Sequence, residues 1–250
     1  MAGPPRHFGP AATAALNCRN VRPVAAFFFS SPAVAEVTMA QDDPKRHAPA
    51  TLRNREPIRD MLWQVLPQTG EVLEVGSGSG EHAVFFAASF PRLTFVPSEV
   101  DRGCLASIAA WAEAAALPNL MAPLALDVCA PQWQAVAGRR FDAILSINMI
   151  HIAPWPACLG LMRGAARHLK PGGILYLYGP FMVDGRHTAP SNAAFDAALK
   201  AMDPRFGVRD VAAVVGEAAA HGLAFERQVA MPANNLSLIL RLCGNPLATP

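Results

Sequence analysis

A glycine-rich turn directly after a short apolar segment constrains the fold more than any other feature of the chain. Residues 71–75 predict a short buried strand, and glycines occupy positions 76, 78 and 80 before a predicted helix over 81–89. Glycines at this spacing let the backbone turn sharply and let a ligand approach the main chain. The helix start adds free N–H groups and a partial positive charge. The turn therefore predicts a ligand site at the end of a strand.

The spacing of these glycines distinguishes this turn from several known ligand-binding turns. A dinucleotide turn has the pattern G-x-G-x-x-G, and Gly80 comes one residue too early for it, which argues against NAD or FAD without deciding the matter. A nucleophile elbow needs serine where Gly78 stands. A phosphate-binding loop needs Lys-Ser or Lys-Thr where Glu81 follows. Hydrolase and phosphate-loop sites are therefore excluded.

Strands and helices alternate along the chain after residue 50. The predicted strands cover residues 71–75, 93–96, 124–127, 141–147, 174–178, 224–231 and 236–242. The predicted helices cover residues 53–66, 81–89, 101–115, 155–169, 191–202 and 208–221. This alternation predicts an α/β fold with a doubly wound, mostly parallel seven-stranded sheet and helices on both faces. Ligands of such sheets bind beyond the carboxyl ends of the strands, where the glycine-rich turn lies.

Three acidic residues fall at the ends of successive predicted strands. Glu74 precedes the glycines, Glu99 ends the second strand, and Asp127 ends the third. The two carboxylate oxygens of Glu99 can accept both hydroxyls of a ribose, and Asp127 can accept an adenine amino group. Glu74 would orient the loop and face an ammonium group of the ligand. Each acid alone is more often a surface charge or a helix cap, but together they predict a cofactor that contains adenosine.

Residues 72–82, Glu99, Asp127 and the final helix–strand–strand arrangement resemble class I S-adenosylmethionine-dependent methyltransferases. More narrowly, residues from about 47 to 242 are similar to the methyltransferase-like 26 family. The similarity rests on the blocks HAPA at 47–50, RNREPI at 53–58, NMIHI at 148–152, YLYGP at 176–180, HTAPSN at 187–192 and MPANNLS at 231–237. The resemblance implies a Rossmann-like methyltransferase fold, S-adenosylmethionine as cofactor, and methyl transfer as the reaction. Glu99 stands where this family more often has aspartate.

Cofactor contacts are expected from the glycine turn, from the strand ends and from the first helix. The resemblance implies that an N-terminal segment folds over the cofactor. We therefore expect Asn54 or Arg55 to reach the methionine carboxylate or an anionic acceptor, although surface charges at a helix start are a competing interpretation. The predicted cofactor-binding residues are Asn54, Arg55, Glu74, Gly76, Ser77, Gly78, Gly80, Glu99, Asp127, Val128, Asn148 and Met149.

Methyl transfer from a sulfonium needs an aligned acceptor in a pocket that excludes water. A general base is needed only when the acceptor carries a proton at neutral pH. His151, Tyr178 and His187 follow the fourth and fifth predicted strands and are the candidate catalytic residues. A loop or capping role competes for His151, and a core aromatic role for Tyr178. His82 is expected on a helix surface or at a helix terminus.

Composition narrows the partners that the chain can have. The net charge is +2 without a basic block, and NMIH follows the fourth strand in place of the motif that base methylation of nucleic acids usually needs. No apolar run reaches the roughly 18 residues that span a bilayer. Five scattered cysteines predict neither a disulfide framework nor a metal site, and favour the cytoplasm. We therefore expect a small-molecule acceptor, with no nucleic acid, membrane or metal; the oligomeric state stays open.

The first 45 residues differ from the rest, because they are rich in Ala, Pro and Arg and contain no acidic residue before Glu36. Three interpretations compete: a secretory signal around residues 24–35, an organelle transit peptide, and an extension ahead of a true start at Met39. We assign residues 1–45 to a disordered or targeting-like extension and residues 46–250 to an S-adenosylmethionine-binding methyltransferase domain.

Two other functions remain open beside methyl transfer. A non-catalytic module on the same fold would bind S-adenosylmethionine or a partner without turning over any acceptor. An NAD-dependent oxidoreductase is the other alternative, and the position of Gly80 and the presence of Asp127 argue against it.

Overall fold

The computed structural model describes residues 43–244 of the 250-residue chain. The interpretations placed on residues 1–42, among them the start at Met39, therefore lie outside the described residues. Within residues 43–244, no helix is both long and apolar enough to cross a membrane.

Two sheets contain the ten strands of residues 43–244. The strands are β1 (Gly70–Val75), β2 (Leu93–Glu99), β3 (Leu124–Ala125), β4 (Phe141–Ile147), β5 (Leu169–Gly179), β6 (Phe181–Val183), β7 (Arg186–His187), β8 (Arg209–Asp210), β9 (Leu223–Met231) and β10 (Asn235–Leu242). The large sheet has the order β3-β2-β1-β4-β5-β10-β9. Its first five strands are parallel, whereas β10 and β9 run antiparallel to their neighbours. This topology confirms the predicted seven-stranded, mostly parallel α/β fold.

Helices cover both faces of the large sheet. They are α1 (Pro49–Val65), α2 (Glu81–Ser89), α3 (Arg102–Ala115), α4 (Trp155–His168), α5 (Pro190–Met202) and α6 (Val211–Ala220). Successive strand residues point to opposite faces, so Val72 packs in the core under α1 and α2, and Leu73 packs in the core under α4 and α6. The parallel strands read as near-continuous apolar runs because both of their faces are buried.

Helix α1 starts earlier than its apolar pattern predicts. The pattern begins near Arg53, but the helix begins at Pro49, where a proline is tolerated because the first N–H groups of a helix have no partner inside it. The helix also continues through Pro57, which sequence patterns usually treat as a helix end. Burial of Ile58, Met61 and Leu62 beneath it stabilises this continuous form.

The segment after β5 is more ordered than predicted. The predicted elements leave a loop from β5 to residue 190, but β6 and β7 lie in this segment and form a small sheet with β8, which follows α5. Because β8 pairs with β6 and Asp210 caps α6 by accepting from the N–H of Ala212, that helix begins at Val211 and not at residue 208. The third strand of the large sheet ends at Ala125, two residues before Asp127.

Candidate active site

The loop between β1 and α2, residues 76–80, is called the glycine loop below. Gly78 has φ +57°, and a Cβ added to it would meet nothing within 4 Å, so a ligand has room to approach the backbone there. Gly80 has φ +94° and precedes α2. A Cβ added to Gly80 would lie 2.8 Å from the Cα of Ile108, so only glycine lets α2 and α3 approach this closely.

The glycine loop is fixed to the end of β2. The N–H groups of Gly76 and Ser77 both donate to the carbonyl of Ser98, at 3.0 Å each. Oε2 of Glu99 accepts from the N–H of Gly78 at 3.1 Å, and Oε1 accepts from the N–H of Val100 at 2.7 Å. The predicted ribose-binding carboxylate therefore adjoins the glycine loop, as the spacing of the two motifs led us to expect.

Asp127 lies at the same edge of the sheet, two residues beyond β3. Ala125 pairs with Glu99 in the parallel β2–β3 ladder, so the chain leaves both strands on the same side. The Asp127 side chain is exposed, and Oδ1 accepts from the N–H of Cys129 at 2.9 Å. One carboxylate oxygen of Asp127 is thus used by its own turn, and the other is left for a ligand.

Glu74 is a buried carboxylate at the base of the glycine loop. Burial raises the pKa of Glu74 to about 7; a hydrogen bond from the hydroxyl of Ser77 works against this rise, and the negative charge of Glu99 adds to it. Oε2 of Glu74 has no hydrogen-bond partner among the described residues. A buried acceptor without a donor is costly, so the site suits a ligand that brings a positively charged donor to this point.

The turn after β4 carries two further predicted residues, Asn148 and Met149. Asn148 has φ +59°, and its N–H donates to the carbonyl of Tyr178 at 2.8 Å, which joins the ends of β4 and β5. The side chain of Met149 packs on the backbone of Gly76, because a Cβ there would lie 2.7 Å from Cγ of Met149. Met149 therefore meets the glycine loop across the ends of β1 and β4, whereas Asn148 contacts the end of β5.

His151 is fully buried, and neither ring nitrogen has a hydrogen-bond partner among the described residues. The ring stands edge-on to Phe181 with centroids 4.9 Å apart, and Nε2 lies against the backbone of Gly179. Burial, together with the positive charge of Arg209, lowers the pKa of His151 to about 3. The imidazole is therefore neutral, and the closed core opposes its protonation.

His82 lies in the first turn of α2, which is one of the two expected positions, but it is buried and not on the helix surface. Its Nε2 lies 2.8 Å from Oδ1 of Asn54, so the neutral ring donates to the amide of α1. Burial and the charge of Arg55 lower the pKa of His82 to about 3. Asn54 also interacts with the hydroxyl of Tyr178, whose pKa is raised by burial against the effects of Asn235 and Asn54. These contacts join α1, α2, β5 and β10.

Arg55 is a half-buried cation on α1. Its guanidinium lies 4.8 Å above the ring of Phe85. Nε is buried without a hydrogen-bond partner, and no carboxylate of residues 43–244 lies within ion-pair distance of Arg55. An unpaired, half-buried cation on α1 is suited to a ligand carboxylate.

His187 on β7 is paired with a buried carboxylate of α5 that the sequence did not point to. Nε2 of His187 lies 3.5 Å from Oδ2 of Asp196. Burial would raise the pKa of Asp196, but the ammonium of Lys200 at 2.6 Å and the N–H of Val208 at 2.8 Å hold that pKa below its usual range. Nδ1 of His187 is buried and has no partner in the described part of the chain. In the sequence, Asp196 and Lys200 read as an ordinary i,i+4 pair.

A second group of site residues that the sequence did not indicate lies before α1. Residues 46–48 contact the glycine loop and α3 through Glu81 and Ser107. These contacts bridge about 60 residues of chain between Arg46 and Ser107, so no local pattern could have shown them. No group of three or more His, Cys, Asp or Glu side chains within residues 43–244 could hold a metal ion.

Comparisons with known proteins agree with this architecture. The model of a family described as "Protein of unknown function (DUF938)" matches residues 45–242. A tRNA (guanine-N(7)-)-methyltransferase of Nitrobacter hamburgensis is 32% identical over 134 residues, which cover 50% of this chain and 46% of that protein. The chain thus spans about half the length of this curated relative.

Solved structures show the fold more completely. An O-methyltransferase family protein from Burkholderia thailandensis superimposes with a TM-score of 0.66 at 18% identity, covering 78% of this chain and 58% of that chain. The apo form of the S-adenosylmethionine-dependent methyltransferase SibL gives a TM-score of 0.65 at 20% identity, over 78% of this chain and 56% of that one. These likenesses show that the described part of the chain has the fold of class I methyltransferases.

Proposed function

The chain belongs to the DUF938 family, and on this premise we propose that it transfers a methyl group from S-adenosylmethionine to a small-molecule acceptor. The observation that carries the proposal is the arrangement of Glu74, the glycine loop and Glu99 at one edge of a methyltransferase-like sheet. We also propose the narrower kinship with the methyltransferase-like 26 family, which rests on the sequence blocks described above.

The residues at this edge fit S-adenosylmethionine group by group. Gly78 leaves open space beside the backbone, and the carboxylate of Glu99, which accepts from the N–H of Gly78, is proposed to accept the ribose hydroxyls. The unpartnered oxygen of Glu74 suits the ammonium of the methionine part. Asp127 and Val128 are proposed to bind the adenine edge, and Asn148 and Met149 to close the site from β4. When bound, the cofactor supplies an electrophilic methyl group on a positively charged sulfur.

Asn54 and Arg55 extend the proposed site onto α1. The unpaired guanidinium of Arg55 is proposed to meet the carboxylate of the methionine part or of an anionic acceptor. Asn54 holds His82 on one side and approaches Tyr178 on the other. Its amide therefore joins the cofactor side of the site to the side where the acceptor is expected.

The acceptor is proposed to meet His151, Tyr178 and His187 beyond the ends of β4 and β5. Of these, His187 is the best placed to accept a proton, because ionised Asp196 beside Nε2 favours the tautomer that leaves the lone pair on Nδ1. His151 is neutral and closed off from water, so we assign it to shaping and excluding water from the pocket. Tyr178, held near Asn54 and Asn235, is proposed to orient the acceptor.

The balance of charge supports a small acceptor. With a net charge of +2 and no basic block, the chain lacks the electrostatic footprint of tRNA binding, even though one relative is named as a tRNA methyltransferase. We further propose that residues 46–250 form the methyltransferase domain and that the protein acts in the cytoplasm, as the scattered cysteines suggest.

Calorimetry with S-adenosylhomocysteine and NAD tests the cofactor first. We expect S-adenosylhomocysteine to bind with one site per chain and NAD to give no heat; the reverse result would favour an oxidoreductase. Methyl-labelled S-adenosylmethionine would then be incubated with fractionated small metabolites and, separately, with total tRNA. Label in a small-molecule fraction supports the proposal, label in tRNA contradicts the acceptor class, and cofactor binding without label in either favours a non-catalytic module.

A further inference from the structure

Residues 45–48 lie across α3 just before the first helix, and we call them the strap. The N–H of Arg46 donates to the hydroxyl of Ser107 at 2.7 Å, and its carbonyl accepts from the indole of Trp111 at 3.0 Å. The Arg46 guanidinium pairs with Asp101 at 3.1 Å. Three bonds of different kinds thus fix Arg46 to α3 and to Asp101, the N-cap residue of α3.

Glu81 joins the strap to the glycine loop. Its side chain is only 8% exposed in the first turn of α2, and its two carboxylate oxygens interact with three partners. Oε2 accepts from the N–H of Ala48 at 2.6 Å and from the hydroxyl of Ser79 at 3.0 Å. Oε1 lies 3.3 Å from Nδ1 of His47. A buried carboxylate with this many donors makes strong, charge-assisted hydrogen bonds.

Ser79 of the glycine loop is held from both sides by these contacts. Its hydroxyl donates to Glu81, and its carbonyl accepts from the hydroxyl of Ser107 at 2.7 Å. Ser107 in turn accepts from Arg46, and Glu81 accepts from Ala48. The strap and the glycine loop are therefore coupled through two independent side chains that meet on one residue.

This coupling matters because the glycine loop is intrinsically flexible. Three of its five residues are glycines, which have the widest choice of backbone conformations and lose the most entropy when they are fixed. A ligand that has to order such a loop binds more weakly than one that finds it ordered already. Contacts that fix Ser79 before the ligand arrives therefore raise affinity without touching the ligand.

We propose that the strap, acting through Glu81 and Ser107, is a positioning element that holds the glycine loop in its ligand-binding form. The inference rests on the proposed function, because the ligand is taken to be S-adenosylmethionine. Glu81 and Ser107 are positioning residues, and neither is required to contact the cofactor. The N-terminal segment thereby becomes part of the cofactor site, although it lies outside the glycine motif.

Calorimetry of the full chain with S-adenosylhomocysteine tests this role, because stoichiometry and Kd are measured separately. Glu81→Ala is expected to raise Kd about tenfold with one site per chain retained, since it removes hydrogen bonds to a charged group. Ser107→Ala is expected to raise Kd about threefold, because its bonds are between neutral groups. The matched control is Glu113→Gln on the exposed surface of α3, which should leave Kd unchanged.

The opposite results are equally definite. If Glu81→Ala lowers the stoichiometry but leaves Kd unchanged, Glu81 serves folding only and the proposal is wrong. It is also wrong if Kd for both variants stays within twofold of wild type. If wild type itself binds no S-adenosylhomocysteine, the proposed function fails. The role of the strap is then tested separately, by measuring amide hydrogen exchange at residues 76–80 in the ligand-free proteins. Faster exchange in Glu81→Ala than in Glu113→Gln supports the strap, and equal exchange overturns it.

Discussion

On one side of the candidate site, the ends of β1 and β2 place Glu74 and Glu99 around a loop of five residues. On the other side, beyond β4 and β5, the polar groups come from α1, the turn after β4, the small sheet and α5. The first side has its loop fixed to the strand end by main-chain bonds from Gly76 and Ser77. The second side contains histidine nitrogens that have no partner in the described part of the chain.

Because of this difference, we expect cofactor binding and the choice of acceptor to depend on different parts of the same fold. A side built from neighbouring strand ends and main-chain bonds has little freedom to change its ligand. A side assembled from inserted elements can be altered by substitutions in those elements while the sheet is kept. The proposed cofactor falls on the first side and the unidentified acceptor on the second.

The largest effect is expected where the cofactor side is most tightly built. Gly80→Ala should lower the free energy of unfolding by about 3 kcal/mol, because the new methyl group meets the backbone of Ile108 and the residue has φ +94°. Urea denaturation measures this loss. Gly138→Ala is the matched control: it also has positive φ, +74°, but nothing lies within 4 Å of its added Cβ, so a loss of about 1 kcal/mol is expected. Equal losses would show that packing around Gly80 is not tight.

The second prediction concerns affinity on the same side. Glu99→Ala should raise Kd for S-adenosylhomocysteine about a hundredfold, because the two hydrogen bonds proposed between the Glu99 carboxylate and the ribose are lost together with the anchor on Gly78. Isothermal titration calorimetry measures this change. Glu56→Gln, on the exposed surface of α1, should bind as wild type does. A change below threefold in Glu99→Ala would remove Glu99 from the cofactor site.

The free energy of unfolding should also depend on pH through one group on each side, with opposite signs for His151 and Glu74. For His151, the folded pKa of about 3 lies below the ordinary 6.5, so the unfolded chain binds the extra proton between these values. Stability is therefore full above pH 6.5 and falls as the pH drops. His151→Leu should reduce this fall by on the order of 1 kcal/mol per pH unit between pH 6 and 4. Urea denaturation at several pH values measures how the free energy of unfolding changes with pH. Part of this pH dependence should remain in the variant, because His82 is also buried with a lowered pKa. An unchanged pH dependence would contradict the burial of a neutral His151.

Glu74 should give the opposite and smaller effect. Its folded pKa of about 7 lies above the ordinary 4.5, so the folded protein binds the extra proton between these values. Stability from this group is present below pH 4.5 and lost as the pH rises to 7. Between pH 4.5 and 7 the free energy of unfolding should decline by somewhat under 1 kcal/mol per pH unit because of Glu74, and Glu74→Gln should remove this decline. The decline is kept small by the hydrogen bond from Ser77 and by relaxation of the site around the charge. Glu113→Gln is the control, and a decline that persists in Glu74→Gln would place its origin elsewhere.

The sequence predicted the sheet and the cofactor side because both depend on local patterns. Apolar runs and turns define each parallel strand, and the spacing from Gly80 to Glu99 is set by one helix and one strand. The small sheet was missed because strands of two or three residues show no period. The burial of His82 was not predicted, because its partner Asn54 lies 28 residues away in the sequence and contacts it only through the packing of α1 on α2.

The strap also contains its own optical reporter. Three residues of the strap contact the side chain of Trp111. Its indole N–H donates to the carbonyl of Arg46, the ring of His47 stands edge-on with centroids 5.2 Å apart, and the ammonium of Lys45 lies 5.2 Å from the indole ring centre. Indole emission depends on nearby charges and hydrogen bonds, so displacement of these three residues would change its wavelength and intensity. Seating of the strap can therefore be followed in real time by intrinsic fluorescence, without a label, once the other three tryptophans are replaced by phenylalanine.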